Sequence, residues 1–167
     1  MNSAIEPPSL EASLFDIHFQ ISDASYLYLL IILLLLLFSA FASSAESAYF
    51  SLKPRDNAAL KENPSPRAKL ILTLLAKPQE LLATILIFNN FVNVGIVILS
   101  SFILSDLFPS QEGFNLWRFV IEVIGITLLI LLFGEVIPKI FANRNALKVS
   151  LLASYPLRFI SKMPPVS

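Results

Sequence analysis

The chain has 167 residues, 56% of them hydrophobic and only 14% charged, with a mean hydropathy of +0.74. A soluble domain carries about 25% charged residues, so this composition describes an integral membrane protein. A net charge of zero argues against nucleic-acid binding; the lack of cysteine excludes disulfides, thiolate zinc sites and cysteine nucleophiles; and the single histidine, His18, excludes a multi-histidine metal site within one chain.

Residues 1–25 read as an extracellular or periplasmic tail. They contain no Lys or Arg, so they lack the basic leader of a signal peptide, and the apolar run that follows exceeds the ~7–15 residues of a signal core. That run is expected to stay in the mature protein. It extends from about Tyr26 to Leu52, a second run from about Glu80 to Leu107, and a third from about Trp117 to Ile137. Each reaches the roughly 20 residues that a helix needs to cross the hydrocarbon of a bilayer. Between the first two, SPRAKLILTLLAKPQ mixes bases and apolar residues at helical spacing, which predicts a short interfacial helix over about 66–78. A similar segment over about 146–163 carries Lys148, Arg158 and Lys162 and is expected to break at Pro156; a fourth span is its alternative reading. The expected fold class is therefore all-α integral membrane, with three transmembrane helices and juxtamembrane amphipathic helices.

Lys53, Arg55, Lys61, Arg67, Lys69 and Lys77 lie between the first two runs, and Lys139, Arg144, Lys148, Arg158 and Lys162 follow the third. The connection from Ser105 to Leu116 has no base and carries Asp106 and Glu112. The positive-inside rule predicts an outside N-terminus and an inside C-terminus, with Tyr26, Tyr28, Phe108 and Trp117 at the outer interface.

Each span carries polar residues where lipid should be the solvent. At 100° per residue, Ser39, Ser43, Glu46 and Phe50 share one face of the first helix, flanked by Ser44 and Ser47. Such a face must look into protein or water. One reading is close helix packing through small residues; the other is ion coordination, with Glu46 along the ion pathway. The second span holds Asn89, Asn90 and Asn93, of which Asn89 and Asn93 share a face with Ser100. In the third, LLFGEVIPK, Pro138 has no N–H to give the Gly134 carbonyl, which leaves a free backbone oxygen beside the Glu135 carboxylate. The alternative for Glu135 is neutrality or pairing with Lys139. Hydroxyls, amide oxygens, a carbonyl and carboxylates converge at similar depth and form an all-oxygen set suited to Mg²⁺ or another hard cation. No intramembrane Ser–Lys, Ser–His or paired-Asp constellation is present, so an enzyme is not expected.

FSAFASSAESAYFSL, ATILIFNNFVNVG and LLFGEVIPKIFANRNA resemble, in order and spacing, the S-x-x-x-S-G-x-E, G-N-x-x-x-N and G-E-x-x-P-K helices of the CorC / cyclin M family of magnesium transporters. The likeness runs from about Tyr26 to the end. IEPPSLEAS, with LLATILIFNNFVNVGIVILSSFIL, also resembles the gliding-motility-associated bacterial subgroup. The resemblance implies a homodimer in the bacterial inner membrane, with an inward-open cavity holding largely dehydrated Mg²⁺, and magnesium export with Na⁺ as the coupling ion. Carried over by motif, the implied ligands are Ser39, Ser43, Asn89, Gly134 and Glu135, with Asn93 a further candidate, and Pro138 shapes the turn. Phe88 and Ser44 stand where the family often has Gly. Family members continue into cytoplasmic CBS modules, so this chain is expected to represent the membrane domain alone. A membrane scaffold that uses the polar stripe for helix packing is the competing expectation.

Overall fold

The computed structural model describes residues 23–107 and 116–161; residues 1–22 of the expected tail, Phe108, Glu112 and Lys162 lie outside them, and residues 23–25 already belong to the first helix. Every regular element among the described residues is helical. They are α1 (Asp23–Phe50), α2 (Pro54–Glu62), α3 (Pro66–Leu75), α4 (Pro78–Leu107), α5 (residues 116–144) and α6 (Ala146–Ser161). Three are long and apolar enough to cross a membrane, over Ala24–Phe50, Pro78–Asp106 and Ile121–Arg144.

Proline punctuates the first connections. Pro54, Pro66 and Pro78 each begin a helix, where a missing N–H costs nothing and a fixed φ is already helical. The Asp56 carboxylate accepts the Lys53 backbone N–H at 3.0 Å, and Ser65 Oγ accepts from the Ala68 N–H at 3.1 Å, so side chains satisfy donors that open α2 and α3. α3 begins at Pro66, as the helix expected over 66–78 does, but ends at Leu75, since Pro78 already opens α4; α2 was not expected from its polar, nine-residue sequence.

Two other expectations need correction. α5 does not stop at Ile137 but runs through Pro138 to Arg144, and Pro138 therefore stands inside a continuing helix, not at a turn. α5 is π-wound over Ile121–Gly125 and Ile130–Val136, and Pro138 falls in the first α-turn after the second π segment, where the hydrogen-bond ladder is already changing register. Nor does Pro156 break α6, which is one helix of 16 residues.

α1 is the hub, packing on α4, α5 and α6, while α3 packs on α6. Where α1 and α5 finish and α4 begins, Lys53, Arg55, Lys77, Arg144 and Lys148 gather, and we call this the basic end. The larger core lies there, where Ala42, Ala45 and Tyr49 of α1 meet Leu60, Ala68, Ile71, Leu81, Ile85, Ala153 and Leu157. Small α1 residues admit the neighbouring backbones closely, and the Tyr49 hydroxyl donates to the Ser150 carbonyl of α6 at 3.4 Å. Toward the other end the core thins to Val92, Ile96 and Ile130. There Ser25 Oγ donates to Asp106 Oδ2 at 2.6 Å, tying the start of α1 to the end of α4. The remaining faces expose Leu30, Leu33, Phe91, Leu128 and Leu132, as lipid-facing helices do.

Candidate functional site: a polar ring across three spans

The spans bring four polar side chains into one ring between the two cores. Ser39 of α1 is fully buried, Asn89 of α4 is 6% exposed, and Asn93 of α4 and Glu135 of α5 are half-buried. Ser39 Oγ lies 3.0 Å from Asn89 Oδ1 and 2.8 Å from Asn93 Oδ1. The other side of each amide turns to Glu135, whose Oε1 accepts from Asn93 Nδ2 at 3.2 Å and from Asn89 Nδ2 at 3.5 Å. Helical spacing explains the meeting, since residues 89 and 93 are four apart and present both amides from one face.

The ring is one proton short. A serine hydroxyl has a single proton, yet Ser39 faces two amide oxygens. Turning either amide over gives Ser39 a donor but sets an amide oxygen against the Glu135 carboxylate. With Glu135 ionised, no choice of amide orientation supplies a separate proton to each of the four contacts, which leaves one oxygen of the ring open to a further donor or a cation. Ser43, one turn along α1, adds to this: its Oγ is buried without a hydrogen-bond partner among the described residues.

Gly134 is held against the ring. A Cβ there would come within 2.8 Å of Ser39 Oγ, so the backbone of α5 approaches α1 as closely as only glycine permits. The carbonyl released by Pro138 depends on winding. By α count it belongs to Gly134, but Ile137 N–H still bonds Leu132 five residues back, and by that π count it belongs to Phe133. The two candidate carbonyls directly precede Glu135.

A second polar seam lies toward the basic end. Ser44 Oγ donates to the Pro138 carbonyl at 3.4 Å, Ser47 Oγ donates to the Lys139 carbonyl at 3.1 Å, and Lys139 Nζ is 3.1 Å from Glu46 Oε2. The pairing weighed for Lys139 with Glu135 is therefore not the one adopted. Sequence reasoning gave the roles of Ser47 and Lys139 no place, although Glu46 on the polar stripe and Lys139 after the proline were its visible signals. Asn90 is the amide left out: it is exposed, about 100° away from Asn89. Phe88 packs edge-on to Phe38 with ring centroids 6.3 Å apart, filling the α1–α4 groove beside the ring.

The class defined by this architecture is a three-span helical membrane domain with a polar ring at the crossing of all three spans. Residues 30–164 match the family model described as the cyclin M transmembrane N-terminal domain. The chain is 32% identical over 124 residues to the UPF0053 protein sll1254 of Synechocystis sp., covering 74% of this chain and 34% of that protein. It is 33% identical over 125 residues to a UPF0053 protein of Haemophilus influenzae, covering 75% of this chain and 28% of that protein. The chain thus spans about a third of the length of these relatives. The chain belongs to the cyclin M transmembrane family.

Proposed function

We propose that this domain carries Mg²⁺ across the membrane through the ring of Ser39, Asn89, Asn93 and Glu135, with Ser43 and the Gly134 carbonyl completing the ligand set. The observation that carries the reading is the ring of oxygens served by a single hydroxyl proton: a cation can sit where Ser39 faces two amide oxygens with one proton between them. The family is associated with the transport of Mg²⁺ and other divalent cations, which supports the same conclusion.

The chemistry favours a hard ion, because every donor offered is oxygen. An octahedron with metal–oxygen bonds of about 2.1 Å has edges of about 3.0 Å. Ser39 Oγ already stands 3.0 and 2.8 Å from the two amide oxygens. Hydrogen-bond spacing and Mg²⁺ edge spacing coincide, so exchange of a proton for the ion asks little movement of these three oxygens. Glu135 then supplies the charge that offsets dehydration. In this reading the basic end faces the cytoplasm of a bacterial inner membrane, and export is coupled to Na⁺. Cytoplasmic CBS modules regulate flux, and no catalysis is involved. The working unit is a homodimer, supported by Asn90: an amide exposed in mid-span needs a partner that lipid cannot provide.

The test is calorimetric titration of the purified chain with Mg²⁺, with and without Na⁺. Saturable binding in wild type that is lost in Glu135→Ala and Asn89→Ala is the expected result. Equal binding by both variants, with the fold retained, would overturn the site.

A further inference from the structure

Lys139 stands four residues after Glu135 on α5. Glutamate preceding lysine at this spacing is the favoured arrangement for an intrahelical ion pair, with the side chains rooted about 5–6 Å apart. The pair is not formed. Lys139 Nζ reaches instead to Glu46 Oε2 at 3.1 Å, and Glu135 Oε1 is left to the two asparagine amides. The root of the lysine is fixed to α1, because Ser44 and Ser47 donate to the carbonyls of Pro138 and Lys139. Only its ammonium is free to choose between two carboxylates.

We infer that Glu46 is a positioning residue for the cation site: by holding the Lys139 ammonium in an ion pair, it keeps that ammonium off Glu135. The inference rests on reading the ring as a cation site. An ammonium on Glu135 would supply the positive charge that the ring lacks and would compete with a divalent cation for the same oxygens. The Glu46–Lys139 pair is partly buried, with side chains 23% and 39% exposed, so solvent screens it less than an open surface pair. When Glu46 loses its charge, the half-buried ammonium turns to the carboxylate one helical turn away. Glu80, the acidic residue that opens α4, is occupied by Lys77 at 2.9 Å. Glu46 therefore raises divalent-cation affinity without serving as a ligand, and Lys139 is a tethered competitor held in check.

A double-mutant cycle read by Mg²⁺ calorimetry on the whole chain in lipid nanodiscs tests this. Glu46→Gln is expected to weaken Mg²⁺ binding about tenfold, the scale of coupling between neighbouring charged groups. Lys139→Gln is expected to bind at least as tightly as wild type. In the Lys139→Gln background, Glu46→Gln should then cost less than about twofold, because no competitor remains. Glu46→Asp, which keeps the charge, should stay close to wild type. The same loss from Glu46→Gln in both backgrounds would mean that Glu46 acts by its own field, and would overturn the inference. So would loss of binding in Lys139→Gln, an outcome that stands even where Glu46→Gln fails to fold. Absence of Mg²⁺ binding in wild type would instead remove the site reading itself, and the inference with it.

Discussion

The ring and the seam lie about one and a half to two helical turns apart on α1, each joins serine to a glutamate, and they differ in how their acceptors are served. In the seam, each acceptor has its own donor: Ser44 for the Pro138 carbonyl, Ser47 for the Lys139 carbonyl, and Lys139 for Glu46. In the ring, one serine proton is asked to serve two amide oxygens. A buried polar group without its partner costs about 1–3 kcal/mol, so the ring is the less fully satisfied of the two. Two serines of α1 thus close the helix on α5, while a third faces the ring to which the proposed function assigns an ion. The packing reading fits Ser44 and Ser47, and the coordination reading is proposed for Ser39.

Withdrawing the ion gives the strongest test of that difference. At 100 times its dissociation constant, Mg²⁺ should stabilise the wild-type chain by about 2.7 kcal/mol, seen as a fall in melting temperature on chelation. The shift should vanish in Glu135→Ala, whereas a seam variant such as Ser44→Ala should retain it. An equal chelation response in Glu135→Ala would place the stabilising ion elsewhere.

Gly134→Ala comes next in size. Its Cβ would stand 2.8 Å from Ser39 Oγ, so α5 must back away or Ser39 must turn out of the ring. Overpacking of this kind costs about 1–3 kcal/mol. Because a ligand site is held to within about 0.5 Å, Mg²⁺ affinity should fall at least tenfold. Calorimetry and a thermal melt on the same sample separate the two effects, and unchanged affinity would remove Gly134 from the site.

Hydropathy and spacing made the three spans, the shared face of Asn89 and Asn93, and the neighbourhood of Gly134 and Glu135 legible. Apolar length fixes a span, and 100° per residue fixes a face, without knowledge of the partner helix. The remainder depends on tertiary contact. α2 is a short polar helix whose sequence has no apolar period, and it is held by an opening proline, Asp56 and one buried leucine, Leu60. The π winding of α5 has no local mark besides glycine and proline, and it adds Phe133 to Gly134 as a carbonyl that Pro138 could leave free. Lys139 pairs with Glu46 and not with the nearer carboxylate in sequence because packing of α5 on α1 brings Glu46 within 3.1 Å of its ammonium, a contact that no local pattern encodes.

The smallest expected effect is also the most discriminating. Ser47→Ala removes one hydroxyl–carbonyl bond of the seam, worth about 1 kcal/mol. The carbonyl it leaves belongs to Lys139, at a partly exposed position, so the loss should sit at the low end of that scale. Because the lysine root is loosened while Glu46 keeps its charge, the ion pair should survive, and Mg²⁺ affinity should stay within about twofold of wild type. A thermal melt should therefore move slightly while the titration does not. Were Ser47→Ala to weaken Mg²⁺ binding as much as Glu46→Gln, the ring and the seam would be one site, because positioning of the lysine backbone would govern binding as strongly as the charge that holds its ammonium.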